Sequence, residues 1–167
     1  MKNKKIITDK QKVLKLVKKD GYALEYASKE LRNDRQVVLE AIKQNSEAFE
    51  YASKELKNDK EFVLVAVKKD GWALQYASKE LRNDRQVVLE AVKENGWAFK
   101  YASKELKNDR DFVLQAVKQD GYALEYASLK LQNDKDIVFQ AIKQDRRAVE
   151  FVGEELLNKI LNILNTL

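Results

Sequence analysis

The feature that most constrains the fold is a sequence repeat that runs through almost the whole chain. Four residue types recur at every twenty-fifth position: an asparagine, the aspartate that follows it, a valine and a leucine. The two polar columns are Asn33, Asn58, Asn83, Asn108, Asn133 and Asn158, and Asp9, Asp34, Asp59, Asp84, Asp109 and Asp134. Self-similarity at a period of this length is typical of a small helical or strand unit that stacks on copies of itself.

The repeat divides the chain into six units with no insertion or deletion between them. The units are residues 9–33, 34–58, 59–83, 84–108, 109–133 and 134–158. Residues 1–8 form a basic N-terminal tail, and residues 159–167 form a C-terminal cap. A second period, two units long, lies on top of the first, since units two and four carry Phe49 and Phe99 where the odd units carry leucine. This pattern indicates the duplication of a two-unit block.

Unit three illustrates what one unit folds into. Its apolar segment, residues 62–67, follows Asn58 and Asp59, and either residue suits the N-cap of a helix. The Asp-Gly step that follows supplies a stop, because Gly71 can adopt the left-handed conformation found after helix C-termini. The first half of the unit is therefore predicted to be a helix that ends at this glycine.

The second half of unit three is predicted to be another helix, over residues 72–81. Its small and apolar side chains lie on one helical face at Ala73, Leu74, Ala77 and Leu81. Helices this short are marginal in water, so neighbouring units must hold them. We therefore predict an all-α fold, an α-solenoid of six two-helix repeats, each twenty-five residues long, with a C-terminal capping helix extension.

The two end units depart from the pattern, as caps of a solenoid do. Lys12 stands where the other units have an apolar residue, Arg146 and Arg147 replace a Gly-aromatic pair, and Gly153 replaces a serine. The amphipathic end of the chain is predicted to extend the last helix over the open apolar end, with a dimer contact there as the alternative. Its apolar residues are Ile160, Leu161, Ile163, Leu164 and Leu167.

The segment Asn-Asp-Arg-Gln-Val-Val-Leu-Glu-Ala-Val-Lys-Glu-Asn-Gly-Trp-Ala-Phe-Lys-Tyr-Ala-Ser-Lys-Glu-Leu, residues 83–106, resembles a tandem repeat family catalogued only as a domain of unknown function. The resemblance covers all six units, and such arrays are common in bacteria, protists and large viruses. It implies a helical repeat fold and no activity, because the family has no catalytic motif to carry over.

Composition excludes several kinds of chemistry. The chain has no His and no Cys, so it has no imidazole base, thiol nucleophile, disulfide or Cys/His zinc site. The aspartates suit helix N-caps, and the glutamate column suits bonds to a nearby turn better than acid–base catalysis or a metal site. That column is Glu30, Glu55, Glu80 and Glu105. We therefore expect no catalytic residues, no metal site, no cofactor and no enzymatic activity.

The column after the turn glycine is the best candidate for a binding surface, because it varies from unit to unit. It reads Tyr22, Glu47, Trp72, Trp97, Tyr122 and Arg147. We predict a partner-binding surface that contains Tyr22, Trp72, Trp97 and Tyr122, with packing between units as the alternative. The nearly uniform tyrosines four residues later suit packing between units. They are Tyr26, Tyr51, Tyr76, Tyr101 and Tyr126.

Three basic columns raise the question of an acidic partner. The lysine column, which would supply phosphate or acidic-partner contacts, is Lys18, Lys43, Lys68, Lys93 and Lys118, followed by Lys143. The second is Lys10, Arg35, Lys60, Arg85, Arg110 and Lys135, and the third is Arg32, Lys57, Arg82 and Lys107. The net charge of +5 nonetheless lies mostly in residues 1–8 and unit one, which leaves the rest of the array nearly neutral. A solvated face of mixed charge is therefore favoured over a nucleic-acid groove.

These patterns favour a non-enzymatic repeat scaffold that binds a protein partner, as a monomer more readily than as a homodimer. One alternative is a nucleic-acid-binding repeat protein that uses the basic columns and aromatic stacking. Another is a phage or pathogen inhibitor of a host protein. The chain has no apolar run of the roughly 18 residues that a membrane span needs and no apolar leader, so we expect a cytoplasmic protein.

Overall fold

A computed structural model describes residues 6–165, without the side chains of residue 160 and residues 163–165. The described chain is an α-solenoid in which each unit packs on the next. The predicted all-α solenoid is therefore confirmed. Ile160, Ile163, Leu164 and Leu167 of the predicted cap lie outside the described side chains, and so do residues 1–5 of the N-terminal tail.

Each unit begins with an α-helix, here called the core helix. The core helices are Lys10–Val17, Arg35–Gln44, Lys60–Lys69, Arg85–Glu94, Arg110–Gln119 and Lys135–Gln144. An aspartate caps each one, as Asp59 does by accepting a hydrogen bond of 2.8 Å from the backbone N–H of Phe62. Of the two predicted N-cap residues the aspartate is therefore the one used, and the aspartate column is fully explained by capping.

The second half of a unit is not the single helix that the sequence predicted. It contains a 3-10 helix of six residues and then, after two extended residues such as Ala27 and Ser28, one short helical turn, here called the closing turn. The 3-10 helices are Gly21–Tyr26, Ser46–Tyr51, Gly71–Tyr76, Gly96–Tyr101, Gly121–Tyr126 and Arg146–Phe151. The closing turns are Lys29–Arg32, Lys54–Lys57, Lys104–Asn108 and Leu129–Gln132, with a 3-10 turn at Leu81–Asn83 and a longer helix at Glu154–Asn165.

The break comes from a cap inside the predicted helix. Asp70 caps the start of the 3-10 helix by accepting from the N–H of Trp72 at 3.0 Å, and Ser78 caps a second start by accepting from the N–H of Leu81 at 3.2 Å. Ala77 between them is extended, with φ −64° and ψ 155°. Side-chain caps of this kind offer the backbone an alternative to a continuous helix. The predicted buried positions, Leu74 and Leu81 among them, are correct.

Gly71 has a different role from the predicted left-handed stop. No glycine within residues 6–165 has a positive φ, and the core helix ends because Asp70 adopts an extended backbone. Gly71 is needed for close approach instead, since a Cβ atom there would lie 2.5 Å from the carbonyl oxygen of Ala91 in the next unit.

One apolar core runs through the array along the core helices and the 3-10 helices. Unit three contributes Phe62, Val63, Ala66, Val67 and Leu74, all at most 1% exposed. Lys12 is exposed, so the N-terminal end is polar as predicted. The C-terminal end differs: the last helix continues to Asn165, but Phe139 is 65% exposed and Val149 51% exposed. The described part of the extension therefore leaves these two side chains uncovered.

Repeated hydrogen bonds join each closing turn to the preceding unit. The N–H of Ser78 donates to the carbonyl of Lys57 at 2.9 Å, and its hydroxyl donates to Oδ1 of Asn58 at 2.7 Å. Ile7, within the segment assigned to the tail, makes the same contact for unit one, because its carbonyl accepts from the N–H of Ser28 at 2.9 Å. Residues 6–8 thus stand in for the end of a preceding unit.

Two kinds of contact between units alternate along the array. Between units two and three, the Phe49 and Phe62 rings lie 5.9 Å apart at 39°, and between units four and five Phe99 and Phe112 lie 6.0 Å apart at 40°. We call these two contacts the phenyl seams. The other three contacts are the aliphatic seams, where the matching positions hold Leu24 and Val37, Leu74 and Val87, and Leu124 and Ile137. The two-unit period of the sequence is thus a period of the packing.

Candidate partner-binding surfaces

The variable aromatic column lies at the start of the 3-10 helices. Each of its residues is the second residue of such a helix, and its N–H donates to the capping side chain. The distances are 3.0 Å from Trp72 to Asp70, 3.0 Å from Trp97 to Asn95 and 2.9 Å from Tyr122 to Asp120. The caps therefore fix the backbone from which the rings project.

Trp72, Trp97 and Tyr122 form one row of rings, here called the aromatic ridge. The ring centroids of Trp72 and Trp97 lie 6.4 Å apart and those of Trp97 and Tyr122 5.8 Å apart, both edge to face. Trp97 is 45% exposed, whereas Trp72 and Tyr122 are half-buried. Arg147 covers the far end of the row with its guanidinium 5.0 Å from the Tyr122 ring. The structure thus brings three of the four predicted residues together.

Tyr22, the fourth predicted residue, is separated from the ridge by Glu47. Tyr22 is 37% exposed, and its hydroxyl donates to the Glu47 carboxylate. Because glutamate is smaller than tryptophan, an open cavity of about 520 Å³ lies beside Trp72, lined also by Ser46, Asp70 and Tyr101. The ridge therefore begins at unit three.

The tyrosine column packs between units, as predicted. Tyr101 lies 5.9 Å from Trp72, and Tyr76 lies 6.5 Å from Phe49, both edge to face. Burial raises the pKa of Tyr76 and, with a hydrogen bond to Glu125, raises the pKa of Tyr126 to about 12. These hydroxyls therefore stay protonated near neutral pH.

The lysine column is exposed along the C-terminal ends of the core helices. Lys18, Lys43, Lys68, Lys93 and Lys118 are all solvent-accessible. Two of them have acidic neighbours: Lys43 lies 2.6 Å from Glu40, and Lys68 lies 3.9 Å from Glu90. The column is therefore partly neutralised, and its assignment to phosphate or acidic partners stays a prediction.

The second basic column is occupied by ion pairs within the array. Five of its members reach the capping aspartate of the next unit, as Lys60 reaches Asp84 at 2.7 Å and Arg110 reaches Asp134 at 2.7 Å. Equivalent pairs join Lys10 to Asp34, Arg35 to Asp59 and Arg85 to Asp109. Backbone hydrogen bonds and the Arg35 guanidinium hold the pKa of Asp59 below its usual value. This column therefore links units.

Lys57 and Arg82 of the third basic column line a groove along the closing turns. In one stretch, a cavity of about 670 Å³ is lined by Lys54, Lys57, Asn58, Tyr76 and Ser78. The next stretch, of about 690 Å³, is lined by the equivalent residues one unit later, including Lys79, Arg82, Asn83, Tyr101 and Ser103. We call this surface the basic groove. The sequence analysis identified the third basic column but did not predict a separate binding site there.

Glu55, Glu80 and Glu105 of the glutamate column also line the basic groove. A hydrogen bond from its own backbone N–H is the main cause that lowers the pKa of the Glu55 carboxyl. The same bond lowers the pKa of Glu80 and of Glu105. Each of these carboxylates therefore accepts a hydrogen bond at its own closing turn. Among the described residues no group of three or more acidic side chains is arranged to hold a metal ion.

A known family matches the chain over most of its length. The family described as Domain of unknown function (DUF4116) matches residues 9–57, 59–107, 84–131 and 109–157. The chain belongs to this family. Each match of the family spans about two units, so three of the matches follow the two-unit block of the sequence.

The family carries no assigned activity, so function must be argued from the surfaces. No curated protein and no solved structure matches the chain. Within the part of the chain that the structure describes, no helix is long and apolar enough to cross a bilayer.

Proposed function

We propose that the protein is a non-enzymatic repeat scaffold that binds a protein partner through the aromatic ridge. The observation that supports this most is the 45% exposure of Trp97 within a row of contacting rings. Trp97 is more exposed than Tyr76 and Tyr101, which are half-buried where they pack between units. Exposed tryptophan and tyrosine clusters are typical of the few residues that contribute most of the binding energy in protein interfaces.

The proposed scaffold acts as a cytoplasmic monomer, with a homodimer through the open C-terminal end as the alternative. The nucleic-acid alternative has less support, because one of its three basic columns is taken up by ion pairs between units. That the partner is a host protein inhibited by this chain stays a prediction.

The test is affinity capture with the wild-type chain and a Trp97→Glu variant, followed by quantification of each captured protein. Glu47 occupies the equivalent position in unit two, so the array tolerates this residue. The matched control is Val65→Glu, because Val65 is 51% exposed on a core helix and Glu40 and Glu90 occupy its equivalents.

We expect Trp97→Glu to reduce capture of the partner at least about tenfold, since the loss of an aromatic hot spot removes roughly 2 kcal/mol or more. Val65→Glu should leave capture unchanged. If Trp97→Glu stays helical by circular dichroism and retains every partner, the ridge is not the binding surface.

A further inference from the structure

The basic groove is one polar site repeated along the array. Lys54, Lys57 and Tyr76 in its first described stretch correspond to Lys79, Arg82 and Tyr101 in the next, one unit later. Both stretches are similar in volume, at about 670 and 690 Å³. Because the units are in register, the stretches continue one another along the closing turns. A ligand that occupies them is therefore extended and meets equivalent groups at regular intervals.

Lys57 and Arg82 line the two described stretches, and Arg32 and Lys107 continue their column by one unit on either side. The cations of this column form no ion pair within 4.0 Å with an acidic side chain of the described chain. Lys57 donates to the backbone carbonyl of Glu50 at 2.6 Å, and Lys107 donates to that of Lys100 at 2.6 Å. The Nε atoms of Arg32 and Arg82 are buried and have no hydrogen-bond acceptor. The second basic column, in contrast, has an aspartate for each of five members.

Partial burial makes these cations sensitive to an anion. Burial is the main cause that lowers the pKa of Lys57 and of Lys107. Arg82 lowers the pKa of Lys107 further, whereas at Lys57 the Glu50 carboxylate opposes the shift and Arg32 adds to it. An oxyanion placed beside such a half-buried cation gains a charge-assisted hydrogen bond and offsets the repulsion between neighbours. A negatively charged ligand in the groove would therefore stabilise the charged form of these cations.

The pattern of charges along the groove has a defined extent. In units one to four each closing turn carries two basic residues and one glutamate, as in Lys54, Glu55 and Lys57. In unit five the pattern ends, because Leu129 and Gln132 replace the two cations and a lysine replaces the glutamate. A complementary ligand therefore spans four units.

We infer that the basic groove binds an extended acidic segment of a partner protein, with a carboxylate at about every third residue. Packed helices lie about 8–10 Å apart, and three residues of an extended polyproline-II chain advance about 9 Å, so one carboxylate meets each unit. A glutamate in each stretch interrupts the positive charge. This pattern suits carboxylates separated by neutral residues better than a phosphodiester chain, which carries a charge on every nucleotide. This site lies beyond the aromatic ridge and does not depend on it.

The chain itself supplies a clean substitution for the test. Gln132 occupies the column of Lys57 and Lys107 and makes the equivalent bond, from its side-chain amide to the carbonyl of Glu125 at 2.9 Å. Lys57→Gln/Lys107→Gln therefore removes two charges and keeps the backbone contact. The matched control is Lys19→Gln/Lys69→Gln, which changes the net charge equally at exposed positions where Gln44 and Gln119 already occur.

The probes are labelled synthetic peptides followed by fluorescence anisotropy at low and high salt. One peptide is (Glu-Gly-Ser)4, a second has the same composition with its four glutamates contiguous, and a third is (Lys-Gly-Ser)4. Single-stranded oligothymidylate of twelve nucleotides tests the nucleic-acid outcome. Circular dichroism confirms that each variant keeps its helical content.

We expect (Glu-Gly-Ser)4 to bind, the lysine peptide not to bind, and salt to weaken the binding. The Lys57→Gln/Lys107→Gln variant should bind roughly tenfold more weakly, and the control variant should match wild type. Absence of binding, or equal loss in both variants, overturns the assignment. Equal binding of the contiguous peptide overturns the three-residue spacing. Preferential binding of oligothymidylate that the groove variant loses assigns the groove to nucleic acid and overturns the peptide proposal.

Discussion

The phenyl and aliphatic seams bring neighbouring units together to different degrees. In all three aliphatic seams a Cβ atom on the turn glycine would meet a backbone carbonyl, at 2.5 Å for Gly21 and Gly71 and 2.6 Å for Gly121. In the phenyl seams the three atoms nearest to a Cβ on Gly96 belong to the Asp120 side chain, and the other phenyl seam already holds a Cβ at this position, that of Ser46. A pair of phenyl rings therefore accompanies a wider backbone separation.

This difference shows that a nearly uniform repeat does not impose uniform packing. The two residues that differ most between the seams are the leucine or phenylalanine of the 3-10 helix and its partner in the next core helix. Because side chains fill the interior at close to crystal density, a larger pair moves the backbones apart and relaxes the need for glycine. Four predictions test this relation.

The largest effect is expected where a phenyl seam loses a ring. Phe99→Ala should lower the free energy of unfolding by about 3–5 kcal/mol, because Phe99 is fully buried against Phe112. Urea unfolding followed by circular dichroism measures the change. Phe139→Ala at the open end is the control, and should lower the unfolding free energy far less because its ring is 65% exposed. Equal losses would mean that the phenyl pair does not support its seam.

The next effect compares glycines in the two kinds of seam. Gly71→Ala should lower stability by about 1–3 kcal/mol, since the added methyl group meets a backbone carbonyl that cannot rotate away. Gly96→Ala should lower it less, by about 1 kcal/mol, because the Asp120 side chain can move. The bonds at risk are those that Asp120 accepts from the Gly96 N–H at 2.7 Å and from the Tyr122 N–H at 2.9 Å. Urea unfolding followed by circular dichroism measures both losses of stability. A larger loss for Gly96→Ala than for Gly71→Ala would contradict the proposed difference in backbone separation between the seams.

A smaller effect concerns a bond that both kinds of seam share. Ser78→Ala in a phenyl seam and Ser103→Ala in an aliphatic seam should each lower the melting temperature by the equivalent of about 1 kcal/mol, because each hydroxyl caps a closing turn and bonds to the preceding unit. Ser128→Ala is the control, since the Ser128 hydroxyl is buried without a partner. A clear difference between Ser78 and Ser103 would show that the caps, too, depend on the seam.

The smallest effect separates stacking from charge. Arg85 lies 5.0 Å from the Phe112 ring and also pairs with Asp109, so Arg85→Lys should keep the ion pair and lose stacking worth about 0.5–1 kcal/mol. Lys60→Arg in an aliphatic seam should change stability less, because no ring lies at Val87. Denaturation in high salt, which screens the exposed ion pairs, isolates the stacking. Equal changes in the two variants would remove this distinction between the seams.

The sequence predicts the stacking of the units well, because the constant twenty-five-residue spacing of the repeat places equivalent residues of neighbouring units against each other. Residues such as Leu74 and Leu81 are buried at the positions that helical periodicity indicates. The 3-10 helix was not predicted, because the same apolar spacing suits an α-helix and the break at Ser78 comes from a capping bond. A serine before Lys-Glu-Leu in each of four units was the available signal.

The candidate sites were predictable to different extents. The contact of Trp72 with Trp97 follows from their equivalent places in adjacent units, and the structure places them 6.4 Å apart. The basic groove required the fold, since only the geometry shows which basic column meets the next unit's aspartates. The pairing of Lys60 with Asp84 of the next unit leaves the column of Lys57 without such an aspartate.

The alternation of seams also sets a rule for how such an array can lengthen or shorten during evolution. Loss of a single unit, such as residues 59–83, would place Phe49 opposite Val87, a combination that neither seam uses. Recombination in steps of two units restores a native pairing at the junction, whereas a step of one unit creates a mismatch. Selection for folding therefore favours family members that gain or lose units two at a time.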